Sequence, residues 1–192
     1  MIDEIKQRFE HSVRVTAATG ERLAGAIERA VEMVVECLRG GGGVYVFGNG
    51  GSAADAQHIA GELVGRFLSE RRALKAQALT TDTSILTSLG NDYGFEGVFV
   101  RQLEAAAGPG DVAIGLSTSG NSPNVVAALA RAREMGLRTL ALTGAGGGRC
   151  AALADVLLDV PETLTPRVQE AHAVIYHVLC EMVERAFVED RP

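Results

Sequence analysis

His58 and Glu62 stand four residues apart in His58-Ile59-Ala60-Gly61-Glu62, within a stretch of helical pattern. On a helix that spacing puts both side chains on one face. An imidazole and a carboxylate so placed can share a divalent metal or a substrate. They can equally form an ion pair on a solvated helix surface. A second group, Gln169, His172 and His177, lies near the end of the chain. Gln169 and His177 are separated by roughly 80° around a helix and can line one side of it. His172 and His177 are separated by roughly 140° and point to different surroundings. His177 sits in the apolar run Val174-Ile175-Tyr176-His177-Val178-Leu179, where a core histidine is the alternative to a site residue.

Two turns supply a different chemistry. The apolar run Val112–Leu116 stops at Ser117-Thr118-Ser119-Gly120-Asn121-Ser122, and Pro123 opens a helical pattern. Upstream, Val44–Phe47 is followed by Gly48-Asn49-Gly50-Gly51-Ser52 and a second helical pattern. A strand, a hydroxyl-rich turn and a helix N-terminus together present backbone N–H groups and a favourable dipole to an anion. Neither turn contains Lys or Arg, so a phosphate there would be held by hydrogen bonds. The turns match neither the dinucleotide fingerprint nor the P-loop, and each is compatible with simple strand-to-helix punctuation.

Composition narrows the classes. The chain has 192 residues, 47% hydrophobic and 22% charged, enough for one domain with a sizeable core. A net charge of −6 argues against a broad nucleic-acid surface. The start, Met1-Ile2-Asp3-Glu4-Ile5-Lys6, lacks a signal-peptide apolar core, and no apolar run is long enough to span a bilayer. Cys37, Cys150 and Cys180 form no CxxC pattern and are expected to be buried reduced thiols. Together these features predict a cytoplasmic protein without membrane or nucleic-acid partners.

The elements that must position these groups follow from periodicity. Leu23, Ile27, Val31, Val34, Val35 and Leu38 recur at helical spacing, which predicts one or two long helices before Gly40–Gly43. Their apolar stripe suggests burial at a subunit interface. Strands are expected at Val44–Phe47, Ala76–Leu79, Val112–Leu116, Arg138–Leu142 and Val156–Val160. Helices are expected near Ser52–Phe67, Ser84–Leu89, Phe95–Ala106, Pro123–Met135 and Pro166–Val188. Asn91 and Asp92 fall in a glycine-bounded loop, Gly90–Gly94, between two of them. The alternation predicts an α/β domain, a parallel sheet covered on both faces, with its crevice at the carboxyl ends of the strands.

The residues also carry a resemblance. GNGGSAADAQHIAGELVGRF (Gly48–Phe67), GNDYGFE (Gly90–Glu96), GDVAIGLSTSGNSPNVV (Gly110–Val126), LTGAGGG (Leu142–Gly148) and RVQEAHAVIYH (Arg167–His177) resemble the phosphoheptose isomerases, a family of sugar isomerase (SIS) domains. The resemblance implies a single flavodoxin-like SIS domain over residues 1–192, with a five-stranded parallel sheet and N-terminal helices used in oligomerisation. It implies interconversion of sedoheptulose 7-phosphate and D-glycero-D-manno-heptose 7-phosphate in bacterial heptose synthesis. It implies zinc, one ion per subunit, surrounded by His58, Glu62, Gln169 and His177, with Glu62 and His177 as acid/base groups. Substrate contacts would fall on Asn49, Gly50, Gly51, Ser52, Glu62, Asn91, Asp92, Ser117, Thr118, Ser119, Ser122 and Gln169. It also implies a homotetramer with interfacial active sites. Some members carry an acidic residue three positions before the glutamine, where this chain has Pro166. The alternative is a related non-catalytic tetramer that binds the bacterial replication initiator. The presence of both Glu62 and His177 favours the enzyme.

Overall fold

The computed structural model describes residues 1–188; the last four residues of the expected domain lie outside the described residues. Five parallel strands, β1 (Val44–Gly48), β2 (Ala76–Ala78), β3 (Val112–Ser117), β4 (Arg138–Thr143) and β5 (Val156–Asp159), form one sheet in the order β2-β1-β3-β4-β5. β1 lies against β3 with Val44 opposite Val112 and Gly48 opposite Leu116. Both strands are buried along their whole length, as expected of central parallel strands with both faces covered.

Strand alternation divides the core in two. Val44, Val46, Val112, Ile114 and Leu116 face α1 (Ile2–Arg39), α2 (Gly51–Val64) and α6 (Thr165–Val188). Tyr45, Phe47 and Ala113 face α4 (Val100–Ala106) and α5 (Pro123–Glu134). The period-2 geometry of the strand sends successive side chains to opposite layers.

The N-terminal segment is one continuous helix of 38 residues, running through Gly20 and Gly25. A helical glycine costs only about 1 kcal/mol relative to alanine, which packing of Leu23, Ala30, Val34 and Leu38 readily outweighs. The expected loop at Gly90–Gly94 is corrected in the same way. α3 runs from Thr83 to Tyr93, so Asn91 and Asp92 are helical. Asp82 caps its start by accepting a hydrogen bond from Ile85 N at 2.9 Å, and Gly94 at φ 76° ends it. A short 3-10 turn, Phe95–Gly97, then leads to α4. No residue of α3 is buried.

Candidate active site

β1 and β3 are the neighbouring strands at which the strand order reverses, and the two turns leave their carboxyl ends side by side. In such sheets that is where a ligand crevice opens. Asn49 and Asn124 join the turns by two reciprocal hydrogen bonds, both 2.8 Å. In the serine turn, Ser117 Oγ and Ser122 Oγ are 2.9 Å apart, and Asn121 Nδ2 donates to Ser119 O at 2.8 Å. Gly120 has φ +66°, and a Cβ there would strike the backbone of Gly147. Ser122 caps α5 without using its side chain on that helix, and Pro123 occupies the first turn. Ser52 is buried in the first turn of α2.

Gln169 joins this end of the molecule. Its side-chain amide lies where a Cβ on Gly51 would sit, so the missing side chain of Gly51 makes the contact possible. Val168 and Thr118 O both lie against Gly144, which brings the start of α6 over the serine turn. The crevice thus gathers Asn49, Gly50, Gly51, Ser52, Ser117, Thr118, Ser119, Ser122 and Gln169, whose hydroxyls, amides and helix N-termini suit an anion.

A second cluster occupies the other end of the α2–α6 seam. His58 Nε2 and Glu62 Oε1 are 3.0 Å apart. The His177 ring stands edge-on to His58 with centroids 5.0 Å apart, and tilted to Phe67 at 5.9 Å. The expected shared face of Gln169 and His177 is therefore found, since both meet α2. His172 is fully buried, as its divergent angle requires, with Nε2 3.1 Å from Thr143 O. Burial pushes its pKa down to about 4, the Thr143 bond opposing.

The spacing along the helices separates the two clusters. Glu62 lies eleven residues after Gly51, about 16 Å along α2, and His177 eight after Gln169, about 12 Å along α6. Two imidazoles, a carboxylate and an amide are donor types that zinc accepts. Among the described residues, however, no three His, Cys, Asp or Glu side chains converge as a metal-holding group. The donor chemistry fits the ion; within the chain His58 meets Glu62 at 3.0 Å and stacks edge-on with His177, while Gln169 lies at Gly51. Asn91 and Asp92 lie apart on exposed α3, where Asn91 Nδ2 donates to Asp92 Oδ1 at 2.8 Å.

Residues 8–144 match the family described as SIS domain. A phosphoheptose isomerase of Geobacter sp. (strain M21) is 55% identical over 185 residues, covering 96% of both chains. One of Aquifex aeolicus is 53% identical over 189 residues, 98% of this chain and 99% of the relative. The chain belongs to the phosphoheptose isomerase family. The solved phosphoheptose isomerase GmhA from Neisseria gonorrhoeae is 43% identical and superposes with a TM-score of 0.90, covering 95% of this chain and 98% of that one. The expected fold and enzyme class are thereby established, an isomerase of sugar phosphates with a single-sheet SIS architecture.

Several residues of the site region escape sequence reasoning. Asp55 and Tyr176 flank His58, with Tyr176 Oη 3.1 Å from His58 Nδ1 and 3.4 Å from Asp55 Oδ1. Burial raises the pKa of the Asp55 carboxyl, while the Tyr176 bond and His58 pull it down. Burial and nearby Asp55 push the Tyr176 phenol up to about 12. The three-residue step from Asp55 to His58 on α2 is the signal that could have linked them. Arg71 and Glu184 also emerge only in the structure. Their side chains are 1% and 3% exposed, with Arg71 Nε 3.7 Å from Glu184 Oε2. Glu184 accepts from the backbone N–H groups of Phe67, Leu68 and Ser69, each at 2.7 Å, and so fastens the segment after α2 to α6.

All three cysteines are free and buried, as expected. Among the described residues no helix is long and apolar enough to cross a membrane.

Proposed function

We propose that this chain interconverts sedoheptulose 7-phosphate and D-glycero-D-manno-heptose 7-phosphate by proton transfer between C1 and C2. The observation that carries the reading is the Glu62 carboxylate 3.0 Å from His58, whose ring packs against that of His177, on a seam whose other end joins the serine turn. A proton beside a carbonyl is weakly acidic, so the reaction needs a placed base and a donor to the carbonyl oxygen. Glu62 takes the proton from the carbon next to the carbonyl. The C–H electrons form the enediol double bond as His177 protonates the carbonyl oxygen. Glu62 then returns its proton to the neighbouring carbon, and His177, left without its proton, takes the proton of the second hydroxyl as the carbonyl re-forms there, so both groups end as they began. Ser52, the serine turn, the Asn49–Gly51 backbone and Gln169 hold the phosphate and hydroxyls, with Asn91 and Asp92 as further contacts. His58, Glu62, Gln169 and His177 are the residues that would hold zinc, which supplies Lewis-acid polarisation of substrate oxygens when bound.

The separation of the two clusters supports a homotetramer with interfacial sites. Roughly 16 Å of α2 divides Glu62 from the phosphate turn of its own chain, so a second copy would bring one chain's turn and Gln169 to another's Glu62. α1 supports this association, because Ile2, Ile5, Phe9 and Val13 are exposed. An apolar groove of about 570 Å³ between α1 and α6, lined by Ala24, Ile27, Val31, Val174, Ile175 and Val178, supports it further.

The test incubates full-length, zinc-replete protein with sedoheptulose 7-phosphate and follows the aldose by NMR. Glu62→Gln is expected to lower turnover by roughly 10²–10⁴-fold while inorganic phosphate still binds, and His177→Ala to lose turnover as well. Near-normal turnover in Glu62→Gln would refute the base assignment. A wild-type protein inert on this substrate would refute the substrate.

A further inference from the structure

Glu62 sits in the last turn of α2, where a helix leaves its final carbonyls without intrahelical partners. The segment that follows supplies two of them. Arg71 Nη2 donates to Glu62 O at 2.6 Å, and Leu74 N donates to Leu63 O at 3.1 Å. Arg71 Nη1 also donates to Gly65 O at 2.7 Å, so one guanidinium forks across the end of the helix. A cation at this end meets the negative pole of the helix dipole. Arg71 is itself held, with its side chain 1% exposed and Nε 3.7 Å from Glu184 Oε2. Glu184 stands seven residues after His177, roughly 20° from it around α6, so the two share a face. Through its bond to Phe67 N at 2.7 Å, Glu184 also fixes the residue whose ring lies against His177.

We propose that Arg71 and Glu184 are positioning residues for the isomerisation, holding the last turn of α2 and the Phe67 ring so that Glu62 and His177 keep one mutual geometry. The pair reaches Glu62 through its carbonyl and His177 through Phe67. Apolar packing often replaces a buried ion pair at no cost in stability, so stability alone gives no reason for charges here. Proton transfer does give one, because a displacement of about 1 Å at a reacting group can cost roughly 10²-fold in rate. The effect on turnover rests on the reading of Glu62 and His177 as base and acid.

The experiment compares full-length, zinc-replete wild type with Arg71→Lys and Glu184→Gln, at a temperature where melting curves show each to be folded. Lys keeps the charge facing Glu184 but cannot fork to two carbonyls. Gln keeps one acceptor oxygen and loses the charge. Both variants are expected to lower kcat by roughly 10–10²-fold. KM and the affinity for inorganic phosphate should stay near wild type, because the serine turn lies at the other end of the seam. The His177 ring-proton resonances, assigned by NMR with His177→Ala, are expected to shift in both variants as the Phe67 ring moves. A wild-type kcat in folded variants, or a raised KM with kcat unchanged, would overturn the proposal by leaving the pair a purely structural role. Unmoved His177 resonances in both variants would overturn it as well. If wild type is inert on sedoheptulose 7-phosphate, the substrate reading falls separately, and the His177 resonances alone decide whether the pair positions the site.

Discussion

The serine turn and the α2–α6 seam are built by opposite means. In the turn, partners are close in sequence, as in the Ser117–Ser122 pair five residues apart. In the seam, partners are remote, with Tyr176 118 residues from His58 and Glu184 117 residues from Phe67. The turn depends on backbone that only glycine adopts without strain, at Gly120. The seam depends on polar side chains that distant parts of the chain bring together, such as Glu184 with Arg71 and Tyr176 with His58. Adding a carbon should therefore damage the turn most, and deleting a polar group should damage the seam most.

The largest effect is expected at the seam. Glu184→Ala leaves the buried Arg71 guanidinium without its counter-charge and three backbone N–H groups without their acceptor. Breaking a buried pair from one side costs about 3–5 kcal/mol, which urea denaturation would read directly. Glu184→Gln keeps an acceptor oxygen and should lose less. Equal losses in the two variants would show that charge, rather than hydrogen bonding, holds the segment after α2.

Next comes Gly120→Ala in the turn. The left-handed backbone alone costs an alanine about 1–2 kcal/mol, and its Cβ would meet the Gly147 backbone, which cannot swing aside. Weaker binding of inorganic phosphate is expected along with a lower melting temperature. A variant that binds phosphate as wild type does would separate the serine turn from the anion site.

The smallest effect is a pH dependence that places His172 between the two regions. Its pKa is about 4 in the folded protein against an ordinary 6.5. The unfolded chain therefore binds the proton first. The stabilising contribution is complete above pH 6.5 and is lost as pH falls toward 4, at up to roughly 1 kcal/mol per pH unit. His172→Asn should flatten stability over that window. Glu162 acts in a lower window, because backbone N–H groups of Leu164 and Thr163 and the His11 bond hold it at about 2. Its contribution is lost only below its ordinary 4.5. An unchanged slope between pH 4 and 6.5 in His172→Asn would show that another group carries that window.

Much of this architecture was legible in the residues, because short β-branched runs alternating with helical periods leave few alternatives to a covered parallel sheet. The strands fall where the apolar runs are, with ends moved by a residue or two. β3 extends to Ser117 and β5 stops at Asp159. α3 was misjudged because Gly90 and Asn91-Asp92 carry turn propensity, which a well-capped helix overrides.

The sequence by itself determined the alternation of elements, the two anion-ready turns and the facing pairs on α2 and α6, because these depend on local periodicity and turn chemistry. Only the tertiary structure decided that Asp55 and Tyr176 flank His58 and that Arg71 meets Glu184. It also divided Gln169 from His177, although one helical face carries both. Angular position around a helix is fixed by residue count, whereas the neighbour met at each level depends on which helix packs alongside and in which register.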